Sequence, residues 1–140
     1  AHYLKAISSI AEPVFPVGRA GVKGLVQHLK AGGVIGIVAD VAVGRAPFLT
    51  FFGQRALTSV SAAEWSLKYD APLIPIFGIR QPDGESFEIF VDLPVKKGDP
   101  EDMMQQYNDA VERVARRHPE QWFWIHRRWK SSGRAPDQTA

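Results

Sequence analysis

The chain has 140 residues, 45% of them hydrophobic and 23% charged, which is enough for one core and too little for a second. It holds no cysteine, excluding a disulfide framework and any thiolate metal site and making cytosol, or a surface facing it, the expected environment. The net charge of +2 hides a segregation: from Arg113 to Arg134 seven lysines and arginines meet the single acid Glu120, a net of +6, so the rest carries −4. One surface is therefore expected to attract anions such as phosphates or anionic lipids.

In chain order, Val22, Leu25, Val26 and Leu29 fall at helical spacing before Gly32-Gly33, predicting a helix near 20–31 with His28 on its exposed side. VIGIV at 34–38 is short, apolar and β-branched, the pattern of a buried strand that delivers Asp40 at its C-terminal end. FLTFFG at 48–53 is a second strand or an apolar loop. Thr58 or Ser59 then caps a helix running to about Tyr69, with Ala62, Ala63 and Ser66 as a small-residue face. PLIPIFGIR and SFEIFVDLP are two strands joined through the turn Pro82-Asp83-Gly84. In the second, Phe87, Ile89, Val91 and Leu93 alternate with Glu88, Phe90 and Asp92, so one face is expected to be buried and the other mixed. Asp99-Pro100-Glu101-Asp102 supplies a cap, a first-turn proline and first-turn acids. The helix it starts carries Met103, Tyr107, Ala110, Val111 and Val114 on one side and ends at His118, before Pro119.

No apolar run approaches the roughly 20 residues of a membrane span, and AHYLKAISSI lacks the layout of a signal peptide. The order of elements describes an α/β layered domain over 1–130, a sheet flanked by helices, followed by a polar tail at 131–140 with the composition of a disordered terminus. Strands as apolar as VIGIV and PLIPIFGI need cover on both faces, and two or three helices supply little. Together with the missing initiator methionine, this leads to the expectation that further elements belong upstream, and that the chain alone exposes apolar sheet surface.

HPEQWFWIHRRWK at 118–130 interleaves three tryptophans with basic groups. With LKAGGVIGIVAD at 29–40, FFGQRALT at 51–58 and APLIPIFGIRQPDG at 71–84, it resembles the bacterial lipid A biosynthesis acyltransferases, also called lauroyl or myristoyl acyltransferases, of the glycerophosphate-acyltransferase-like fold. The likeness runs from about Arg19 to Lys130 and matches the C-terminal half of such an enzyme. It implies transfer of a fatty acyl group from an acyl carrier protein thioester to a hydroxyl of an anionic glycolipid, a lipid A precursor, at the cytoplasmic face of the bacterial inner membrane. No cofactor and no metal are expected. A related glycerophospholipid or phosphatidylinositol mannoside acyltransferase would share the fold and differ in acceptor.

The family's chemistry uses a His-x4-Asp/Glu motif, in which histidine takes the hydroxyl proton and the acid orients the ring. Five residues beyond His2, His28, His118 and His126 stand Ile7, Gly33, Phe123 and Ser131, so no catalytic residue is expected in this chain. Its residues are candidates for binding. Asp40 is either a substrate-site carboxylate or a turn residue; the family commonly has Asp-Gln here, and Val41 follows instead. Arg45 is either a phosphate contact or a solvated loop charge. Phe51 and Phe52 line an acyl pocket or belong to the core. Trp122, Phe123, Ile125 and Trp129 either lock the terminus onto the sheet or meet a lipid headgroup boundary. His126, Arg127 and Arg128 are too many polar groups for packing alone and point to an anion, with Glu120 pairing with one arginine and leaving the other for ligand. Basic residues among aromatics also suit a nucleic-acid module. The confinement of charge to one segment, without an RNP or helix-turn-helix signature, argues against that partner.

Overall fold

A computed structural model describes residues 8–9, 12–16, 18–42 and 46–129. Arg45 and the polar tail at 131–140 lie outside them. The chain divides into two compact units, Ala1–Gly36 and Ile37–Ala140.

In the first unit, α1 spans Arg19–Lys30 and closes as its spacing predicts. Gly32 turns into the left-handed region at φ 84°, and Gly33 N–H donates to the His28 carbonyl at 3.0 Å. Gly21 is the buried residue of this helix because a Cβ there would lie 1.6 Å from the Pro16 carbonyl oxygen. His28, expected on the exposed side, is half-buried, its ring 5.8 Å from that of Phe15.

VIGIV forms no strand. Val34 and Val38 are 91% and 77% exposed, and neither of the two ladders among the described residues includes the segment. An apolar, β-branched run becomes a strand only where a neighbour completes its hydrogen bonds.

Among its described residues the second unit is mixed α/β, with two antiparallel hairpins, two α-helices and a short 3-10 turn. β1 (Phe48–Phe51) pairs with β2 (Gln54–Leu57), Phe48 opposite Leu57 and Phe51 opposite Gln54. The turn between them has φ of 51° at Phe52 and 70° at Gly53, the two positive values that suit a tight hairpin to the twist of its strands. β2 was not foreseen from its polar QRAL sequence. α2 (Ser61–Lys68) buries Ala62, Ala63 and Ser66, as its small-residue face requires. Its N-cap position is Val60, with no side-chain cap; Ser59 Oγ accepts from the Ser61 N–H at 3.3 Å, and Thr58 is turned inward.

β3 (Ile76–Arg80) and β4 (Phe87–Val91) form the expected second hairpin. Asp83 shapes its turn by accepting from the Glu85 and Ser86 N–H groups and the Ser86 hydroxyl, bonds that hold its carboxyl below the usual carboxylate range. The alternation in this hairpin is real, but no face of β4 is buried. Ile76, Ile89 and Val91 lie on the exposed side, Ile89 at 63% and Leu93 beyond it at 83%. Phe77 on the opposite face packs against the core and stacks 6.1 Å from Phe90. A two-stranded sheet has only one helix layer to lean on, and the other face stays outward.

α3 (Pro100–Arg117) is the spine, packed on β1 and α2. Its start follows the sequence: the Asp99 carboxylate accepts from the Glu101 N–H at 2.9 Å and Pro100 occupies the first turn. Asp99→Ala is expected to lower stability by about 1 kcal/mol in thermal or urea unfolding. Met103 and Met104 join Leu49, Ala62 and Ala63 in one cluster, while Val111 joins Phe51 and Ala56 in another.

Candidate functional site

The basic C-terminal segment does not present one uniform face. Arg128 is 1% exposed. Its Nη1 donates to the Leu57 carbonyl, and its Nη2 donates to Thr58 Oγ1 at 2.8 Å and to Asn108 Oδ1 at 3.4 Å. The guanidinium lies 5.3 Å from the centre of the Phe51 ring. Asn108 donates from Nδ2 to Thr58 Oγ1 and to the Thr50 carbonyl, both at 3.1 Å, and the Thr58 hydroxyl donates to the Ala56 carbonyl at 3.1 Å. A planar fork with several fixed donors is the side chain that can join the end of a hairpin, a helix and a chain terminus at one point. Nε of Arg128 is buried and makes no hydrogen bond among the described residues.

Asp40 belongs to this neighbourhood. Ala39 packs on the cluster of Met103 and Met104, and two residues beyond Asp40 the Ala42 N–H donates to His126 Nε2 at 3.1 Å. Burial, and secondly the Asp40 charge, push the pKa of the half-buried Tyr107 of α3 up to about 12; at neutral pH its phenol is a donor, as a tyrosine's ordinarily is. Burial lowers the pKa of Arg128, while the charge of Asp40 opposes that shift. The chain thus gathers a carboxylate, a protonated phenol, an imidazole and a buried guanidinium around the end of the Asp40 segment. From the sequence Thr58 is only a candidate helix cap and Tyr107 only part of the apolar side of its helix, and Asn108 is not named. Asn108 carried a legible signal: it stands four residues after Met104 and three before Val111, on the apolar face of α3, where an amide needs partners.

The other candidates fall elsewhere. Phe51 is buried between Trp122 and Trp129, with ring centres 5.4 and 5.7 Å away, and Trp129 Nε1 donates to its carbonyl at 3.1 Å. Phe52 is half-buried, with Arg116 4.7 Å from its ring centre. Trp122 and Trp129 therefore lock the terminus onto β1, whereas Phe123 and Ile125, expected to help, are exposed because the chain there runs in turns. Glu120 pairs with neither Arg127 nor Arg128; it sits on the short 3-10 turn Pro119–Gln121, 3.9 Å from His118 Nδ1, beside a groove of about 1020 Å³ between the β3–β4 hairpin and the end of α3. Arg127 is exposed and makes no ion pair among the described residues. No helix among the described residues is long and apolar enough to cross a membrane.

The sequence matches the family model described as bacterial lipid A biosynthesis acyltransferase over residues 14–131. It is 30% identical over 121 residues to the lipid A biosynthesis palmitoleoyltransferase of Escherichia coli (strain K12), covering 82% of this chain and 39% of that protein. The lipid A biosynthesis acyltransferase of Shigella flexneri gives the same figures. The lipid A biosynthesis lauroyltransferase of Escherichia coli (strain K12) is 29% identical over 120 residues, 81% of this chain and 39% of its own length. The chain thus spans about two-fifths of the relatives it matches.

Proposed function

Because the chain belongs to the bacterial lipid A biosynthesis acyltransferase family, we propose that it forms the acceptor-binding part of an enzyme that moves a fatty acyl group onto a hydroxyl of a lipid A precursor. An acyl carrier protein thioester is the donor in this reading, the cytoplasmic face of the inner membrane is the place, and the glycerophosphate-acyltransferase-like layering is the architecture around it. The observation that carries it is the gathering of Asp40, Tyr107 and His126 around the buried Arg128. A carboxylate can accept from an acceptor hydroxyl, and a phenol held in its protonated form can donate to one. Arg127, exposed one residue away, offers a bidentate fork to a phosphate. Proton abstraction belongs to a His-x4-acid pair, which none of the four histidines here forms.

Two outcomes test this. The 140-residue chain is expected to bind vesicles containing a bisphosphorylated glycolipid, and to bind them less as salt rises, since exposed charges are screened over about 8 Å at physiological ionic strength. Arg127→Ala should weaken that binding while leaving the fold intact; equal binding by the variant removes Arg127 from the site. Incubated with acyl carrier protein thioester and acceptor, the same chain is expected to give background hydrolysis only. Turnover that disappears on substituting His118 or His126 would place the base within this chain instead.

A further inference from the structure

We propose that His126 is a positioning residue for the Asp40 segment, and that it works as the neutral imidazole with its proton on Nδ1. The Ala42 N–H donates to His126 Nε2 at 3.1 Å, joining positions 84 residues apart. A backbone amide can only donate, so the ring nitrogen opposite it presents a lone pair. A neutral imidazole that accepts at Nε2 carries its single proton on Nδ1. A doubly protonated ring would set two N–H groups head to head, and the contact would open.

The clasp has a rigid base. The Arg128 N–H donates to the His126 carbonyl at 2.8 Å, and Arg128 is itself fixed by the Leu57 carbonyl, Thr58 and Asn108. At the other side of Asp40, Ala39 rests on the Met103–Met104 cluster. The backbone on either side of Asp40 is therefore tethered, and His126 is the link that carries the fixed position of Arg128 across to it. This assignment differs from a ligand contact: Nε2 is occupied by the protein, and only the Nδ1 edge is left to meet anything else. That holding Asp40 matters for acyl transfer rests on the function proposed above; the clasp and its tautomer do not.

The chain labelled with nitrogen-15 in its imidazoles is expected to show His126 protonated at Nδ1 and bare at Nε2 at neutral pH, and the opposite tautomer would overturn the proposal without any variant being made. Exchange of the Ala42 amide should rise roughly tenfold in His126→Ala, the loss of one hydrogen bond. It should fall back in His126→Gln, whose side-chain carbonyl accepts. Indifference of Ala42 to both variants overturns the assignment. The Val95 amide, bonded at 2.8 Å to the Leu73 carbonyl, should keep its protection in both variants. Glycolipid binding is scored separately on the same samples. Its absence beside an intact clasp counts against the proposed function alone.

Discussion

Arg128→Ala is expected to destabilise the chain by about 3–5 kcal/mol, read as a lower urea midpoint with little change in slope. Three acceptors depend on this guanidinium: the Leu57 carbonyl, Thr58 Oγ1 and Asn108 Oδ1. Removing the donor leaves them buried and partly unsatisfied, and it opens a void beside Phe51, whose ring lies 5.3 Å from the guanidinium carbon. Domains of this size are stable by only about 5–15 kcal/mol, so the variant sits near the threshold of folding. Arg128→Lys is expected to recover only part of the loss, because an ammonium cannot reproduce a planar fork that serves acceptors from two directions. Arg127→Ala, one residue earlier and exposed, should change stability by less than about 0.5 kcal/mol. Equal stabilities for the Arg127 and Arg128 variants would contradict the buried network.

That contrast shows what was legible in the sequence. The start of α3 was readable because Asp99 and Pro100 act on their own backbone, and the β3–β4 hairpin because Pro82-Asp83-Gly84 encodes its turn locally. Arg127 and Arg128 could not be told apart, since the segment runs in turns without a helical or strand period. What separates them is Thr58, 70 residues away, and Asn108, 20 residues away. VIGIV failed for a related reason. Its composition reports a preference for burial and extension, but a ladder needs a second strand, which composition does not supply. At the site, Asp40, His126 and Arg128 were named from the sequence and the structure brings them together, whereas Tyr107 and Thr58 enter only through packing. Glu120, expected to pair with one of Arg127 and Arg128, instead lies 3.9 Å from His118 Nδ1.

The 140-residue chain is expected to self-associate, with sedimentation that becomes heavier as concentration rises. β3 and β4 pair only with each other among the described residues; the Gln121 side chain satisfies the Arg80 N–H and carbonyl at one end of the β3 edge, and no strand covers the rest of it or the edge of β4. Beside those edges Ile76, Phe87, Ile89 and Val91 form one outward apolar face, continued by Leu93. Polar rims ordinarily break up such a surface. Here Arg80 lies with its guanidinium 5.2 Å from the centre of the Phe87 ring at the turn end of the hairpin, away from Ile89 and Val91. Edge pairing and face burial therefore act in the same direction, and Ile89→Lys should reduce association through both, by placing a charge in the strand and removing its central apolar side chain. Arg127→Ala, outside the hairpin, should leave it unchanged. A concentration-independent monomer that unfolds cooperatively would show this face to be tolerated by the chain on its own, and would remove the basis for expecting any partner to cover it.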